Sequence, residues 1–164
     1  MRALVVSAPN EFAVQDVERP APGPNEVLCK VRAIEDETGV AAGAGDVALI
    51  RSGYLAHWPD PDELAAHRGA GPDLSAAELL AERGVLATGS DTETYEVQPA
   101  HDRGTPANPQ PVHTLLLIER GIYILESLDL EAIARAGLTE FLFVALPLSI
   151  RGATGSMLDP VAIT

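Results

Sequence analysis

The sequence predicts an α/β fold with a β segment at its N-terminus, and three observations carry that reading. Short runs alternating apolar and polar residues fill the chain up to Ala33, the signature of half-buried strands. From Pro59 onward a helix–glycine–strand pattern takes over and recurs. Its last strand, "EFLFVALPL" (Glu140–Leu148), is apolar throughout, as expected of a strand covered on both faces.

The opening strands are expected at Arg2–Ser7, Phe12–Val17 and Glu26–Ala33, separated by "APNE" and "ERPAPGPN", which are turn material. Gly43–Gly53 supplies a turn and a buried strand. In "PDPDELAAHRG", Asp60 suits an N-cap, Pro61 the first helical position and Gly69 a stop. In "DLSAAELLAERG", Ser75 and Glu78 have the spacing of a capping box, Leu74 and Leu79 that of a hydrophobic staple, and Gly84 ends the helix. "VLATGS" follows as a strand. The polar, proline-rich stretch from Asp91 reads as a loop leading to a helix, "PVHTLLLIERG", and a strand, "IYILES". A further helix runs from an Asp129 cap to Gly137. The pattern changes from all-β to mixed near Ile34 to Gly39, which places a seam between residues 1–34 and residues 35–164.

Composition bounds the function. A chain of 164 residues is long enough for one domain with a real core. Hydrophobic residues at 46% and charged residues at 21% are those of a soluble globular protein, and aromatics at 4% leave aliphatic side chains to fill the core. The net charge of -13 argues against nucleic acid as a partner, because a phosphate backbone would be repelled, and equally against an anionic membrane surface. Cys29 stands alone, so it builds no disulfide framework and no cysteine metal cluster; it reads as a small core residue. The opening residues turn polar too early for a signal peptide, and no apolar run is long enough to span a bilayer, so the cytoplasm is the expected location.

Phosphate-binding, dinucleotide and nucleophile-elbow signatures are absent. "RGATGS" (Arg151–Ser156) is read as a plain turn ahead of an oxyanion-type loop. His57, His67 and His101 are expected at the surface. His113 and Glu126 differ, because both sit in greasy stretches where an unpaired polar side chain is costly. Alternation puts Glu126 on the face shared with Ile122 and Ile124, so both groups are expected to point inward. On the residues alone, a hydrogen-bonded structural pair and a metal-ligand pair both stand open.

"GDVALIRSGYLAHW", "AERGVLATGSDT", "PVHTLLLIERGIYILESLDLEAI" and "EFLFVALPLSIRGATGS" together resemble the C-terminal part of the cyclase-like metal-dependent hydrolases, over about Glu37 to Thr164. That family includes bacterial kynurenine formamidase and isatin hydrolase. The resemblance implies a partial swivelling β/β/α fold, a homodimer, and zinc or manganese held in part by His113 and Glu126. It implies a small-molecule amide as substrate, with N-formylkynurenine hydrolysis in tryptophan catabolism as the kynurenine formamidase-like activity. The family's earlier signature, His-x-Gly-Thr-His-x-Asp-x-Pro-x-His, does not occur, and no histidine precedes His57. Residues 1–34 instead resemble the first strands of zinc-containing medium-chain alcohol dehydrogenases. The expected function is therefore a metal-dependent amide hydrolase lacking part of its metal motif. The alternative is a non-catalytic remnant or assembly subunit in which His113 and Glu126 form a structural pair.

Overall fold

The computed structural model describes residues 2–8, 11–16, 41–100, 107–138 and 141–163. Strands β1 (Arg2–Ala8) and β2 (Glu11–Asp16) form an antiparallel hairpin with Leu4 opposite Val14. β1 also pairs antiparallel with β3 (Val47–Arg51), Leu4 opposite Leu49. β4 (Ala87–Ser90) and β5 (Tyr123–Leu125) add in parallel, giving the order β2-β1-β3-β4-β5. The N-terminal hairpin thus extends the sheet of the α/β body. The strand expected at Glu26–Ala33, with Cys29 inside it, lies outside the described residues.

Side-chain alternation divides the core into two layers. Ala48 and Ile124 join a cluster with Leu74, Leu80, Leu115 and Leu116, whereas Leu49, Ala87 and Leu125 join Leu128, Leu130 and Phe141. Burial on both faces explains why β3 reads as an uninterrupted apolar run. Gly89 fits the same crowding: a Cβ there would stand 2.8 Å from side-chain carbons of both Leu49 and Leu128.

Helix α1 (Pro61–Ala66) starts as expected, with the Asp60 carboxylate accepting from the N–H groups of Asp62 and Glu63. It ends at His67, ahead of Gly69. Helix α2 (Leu74–Arg83) corrects the expected capping box. Asp73 accepts from the Ala76 N–H at 3.0 Å, and Ser75 donates its hydroxyl to the same carboxylate oxygen at 2.7 Å. The aspartate immediately before the helix reaches the third amide, so Ser75 is not the cap. Gly84 closes α2 in the left-handed region at φ 73°. Helix α3 (Pro111–His113) continues as a π-helix over Thr114–Glu119, closed by a bond from the Arg120 N–H to the Leu115 carbonyl at 3.0 Å. Helix α4 (Glu131–Ala136) runs into Gly137, and Asp129 accepts from the Glu131 N–H at 3.0 Å, although Leu130 occupies the cap position itself.

The run Glu140–Leu148 is not the fully buried strand its composition suggests. Among its described residues only Leu142–Val144 forms a strand, β6, paired antiparallel with β7 (Val161–Ile163) in a separate two-stranded sheet. Leu142 and Phe143 pack on the second core cluster, but Leu146, Leu148 and Ile150 are exposed. A two-stranded ribbon offers cover on one face, so apolarity here does not mean burial. Arg151–Ser156 is an almost wholly exposed turn, with the Ser156 hydroxyl accepting from the Leu148 N–H at 3.0 Å. Among the described residues no helix is long and apolar enough to cross a membrane.

Candidate metal-ligand site

Parallel strands place functional groups beyond their carboxyl ends. β4 and β5 do so here: Asp91 directly follows Ser90, and Glu126 directly follows Leu125. The two loops are tied by backbone bonds from Ser127 N–H to Thr92 carbonyl, 2.9 Å, and from Leu128 N–H to Ser90 carbonyl, 3.0 Å.

The structure brings His113 and Glu126 together, with Nε2 of His113 3.3 Å from Oε1 of Glu126. It adds a third residue that sequence reasoning missed. Glu96 is fully buried, and its Oε1 lies 2.5 Å from His113 Nδ1. The same carboxylate accepts from the N–H groups of Val112 at 3.0 Å and His113 at 3.2 Å, the opening residues of α3. With Nδ1 donating to Glu96, Nε2 is left to face Glu126. The hydrogen bond to Glu96 raises the His113 pKa above its ordinary value; burial opposes this, and the charges of Glu96 and Glu126 add to the rise. A signal for Glu96 did exist: it sits between Tyr95 and Val97, both of which are buried. An acidic residue between two core residues needs a partner.

Glu126 itself stands at the rim, its side chain 38% exposed, rather than inward with Ile122. β5 ends one residue earlier, and Ser127 turns the chain in the left-handed region at φ 56°, so strand alternation stops short of Glu126. Tyr95 is also left-handed, at φ 52°. Such conformations cost roughly 1–3 kcal/mol for non-glycine residues and concentrate where surrounding contacts over-determine them. These two residues adjoin the two carboxylates that grip His113. The Tyr95 hydroxyl is fixed by Thr88 Oγ1 at 2.7 Å.

Asp91, a further conceivable ligand, is already committed. It is fully buried and accepts from Ser52 N–H at 2.7 Å, Ser52 hydroxyl at 2.9 Å and Gly53 N–H at 2.7 Å. Burial pushes its pKa up, against those hydrogen bonds. Glu93 accepts from the Tyr54 hydroxyl at 2.7 Å. His101 lies outside the described residues. His57 and His67, expected at the surface, flank Glu63, and the three form a group whose ligating atoms lie within 4.8 Å of one another.

The separation of His113 Nε2 and Glu126 Oε1 is that of an ion pair and also that of two ligands on one metal. Ligands bound to zinc at about 2.0–2.2 Å stand roughly 3.3–3.6 Å apart in a tetrahedron, and the observed separation is 3.3 Å. A histidine ligand commonly donates its other ring N–H to a carboxylate, which is the place Glu96 holds.

The family model for Cyclase, described as "Putative cyclase", matches residues 7–97. The match begins inside the segment resembling alcohol dehydrogenases and runs across the seam near Ile34. A solved structure of a novel cyclase is similar at 27% identity and a TM-score of 0.67, over 81% of this chain and 45% of that one. The chain therefore spans less than half the length of that relative. A potential metal-dependent hydrolase with cyclase activity shares the fold at 15% identity and a TM-score of 0.60, over 97% of this chain and 76% of that one. No curated protein matches the chain. With more than half of its 164 residues matched by the family model, the chain belongs to the Cyclase family.

Proposed function

We propose that the chain supplies the His–Glu arm of a metal-dependent hydrolase acting on a small amide, with an arylformamidase-like preference for N-formylkynurenine. One observation carries this reading: His113 is anchored through Nδ1 by buried Glu96 while Nε2 faces Glu126 at 3.3 Å. That arrangement matches a carboxylate-oriented ligand histidine beside a second ligand. His113 Nε2 and Glu126 Oε1 would hold zinc or manganese. The ion, when bound, polarises a carbonyl and lowers the pKa of water. Glu96 fixes the ring orientation and the tautomer, and its bonds to the first amides of α3 fix the helix beneath. A catalytic metal takes about three protein ligands. The described residues bring two to this point, so the proposal carries weak metal affinity and low formamidase turnover for the chain alone. The homodimer expected from the family resemblance remains part of the proposal.

The test is zinc and manganese titration by calorimetry in the His57→Gln/His67→Gln background, which removes the other histidine cluster, with N-formylkynurenine hydrolysis assayed in parallel. Weak binding that His113→Ala removes supports the reading. Binding unchanged by His113→Ala favours the second reading, a structural pair. The double pairing of His113 with Glu96 and Glu126, which satisfies both ring nitrogens without a metal, speaks for that second reading.

A further inference from the structure

A second histidine cluster is independent of His113 and Glu126. His57 ends the 3-10 turn Tyr54–His57, while Glu63 and His67 lie one helical turn apart on α1 and its C-cap. Oε2 of Glu63 is 3.7 Å from His57 Nδ1 and 3.9 Å from His67 Nδ1. The two imidazoles stack with centroids 3.9 Å apart at 15°. A neutral imidazole carries one ring nitrogen with a lone pair that a metal can take.

We propose that His57, Glu63 and His67 form a binding site for a borderline divalent ion, Zn²⁺ or Cu²⁺. Two imidazoles and a carboxylate suit such ions, whereas Mg²⁺ and Ca²⁺ call for oxygen ligands. The backbone under the cluster is well tied. The Asp60 N–H donates to the His57 carbonyl at 2.9 Å, the Asp60 side chain caps α1, and the His67 N–H donates to the Glu63 carbonyl at 3.1 Å. The turn and the helix are therefore held to one another. The ligand atoms lie within 4.8 Å of one another, so closing them to the roughly 3.3–3.6 Å separation of a tetrahedral zinc site asks at most about an ångström and a turn of the stacked rings, and the side chains of Glu63 and His67 are exposed enough to move. His67 Nδ1 lies 2.8 Å from the Glu63 carbonyl oxygen, so its proton rests there until a metal displaces it.

The test is Cu²⁺ titration of the full chain followed by electron paramagnetic resonance, with Zn²⁺ and Ca²⁺ as competitors. The wild type should take up copper with nitrogen coupling from two imidazoles, displaced by Zn²⁺ and not by Ca²⁺. The variant His57→Gln/His67→Gln should lose that signal while keeping its circular dichroism, because none of the three side chains belongs to either core cluster. His113→Ala should keep it, which separates this site from the proposed hydrolase arm. A signal retained by the double variant, a signal lost in His113→Ala, or no stoichiometric copper uptake by the wild type would each overturn the proposal.

Discussion

The buried carboxylate of Glu96 holds His113 at two points and the residue before it at a third: Oε1 lies 2.5 Å from ring Nδ1 and 3.2 Å from the backbone N–H of His113, and Oε2 accepts from the N–H of Val112. One side chain thus starts helix α3 and sets the ring it presents. Glu96→Gln preserves volume but removes the charge and presents an NH₂ where an acceptor is needed. Metal affinity should fall by about 10–100-fold, the usual loss when a partner behind a ligand histidine is changed. Calorimetry on His57→Gln/His67→Gln with and without Glu96→Gln reads this directly.

Protonation gives a second expectation for the protein stripped of metal by a chelator. The folded pKa of His113 is raised, chiefly by its hydrogen bond to Glu96. A raised imidazole pKa stabilises the fold fully below the unfolded value, about 6.5. That stabilisation is lost as pH rises through the folded value. Denaturant midpoints should therefore drop between mildly acidic and alkaline pH by more in the wild type than in His113→Gln. Equal drops would show that His113 titrates as an unpaired imidazole.

Much of the fold was legible because it depends on local chemistry. Asp60 before Pro61, and Gly84 and Gly137 after their helices, each answer a backbone need within a few residues. The composition of the Glu140–Leu148 run misleads because burial depends on what lies across the sheet, and among the described strands β6 pairs only with β7. Ser75 was misread because Asp73 competes for the same amide. His113 and Glu126 stood out as polar residues in apolar stretches. Their anchor did not, since Glu96 is seventeen positions before His113 and pairs with it only through the fold.

Asp91 illustrates a carboxylate used as scaffold. Asp91→Asn keeps one accepting oxygen but turns an NH₂ toward either Ser52 or Gly53, whose N–H groups are donors. The loss should be about 1–3 kcal/mol of stability, the cost of leaving a buried donor unpaired. Urea denaturation of the metal-free protein checks it. A change within a few tenths of a kcal/mol would mean the Ser52–Gly53 turn does not depend on this carboxylate.

Gly71 couples the loop before α2 to the candidate site. A Cβ there would collide with the Tyr95 carbonyl oxygen and stand 2.6 Å from the Glu96 carbonyl carbon. Backbone cannot yield as a flexible side chain can, so Gly71→Ala must shift the Tyr95–Val97 segment. The expected outcome is destabilisation by about 1–3 kcal/mol, as for overpacking, together with weaker metal binding through a displaced Glu96. Lost stability with unchanged metal affinity would break the link between this loop and His113.

The central claim is that His113 Nε2 and Glu126 Oε1 act as metal ligands at the carboxyl ends of the parallel strands. The most direct measurement is X-ray absorption on the zinc-loaded chain, comparing His57→Gln/His67→Gln with the same variant also carrying His113→Ala. Removing the other histidine cluster leaves the proposed arm as the site being read. The account predicts a zinc shell with one imidazole and oxygen donors in the first protein, and loss of the imidazole scattering when His113 is removed. Identical spectra in the two proteins would contradict it and leave His113 and Glu126 as a structural pair.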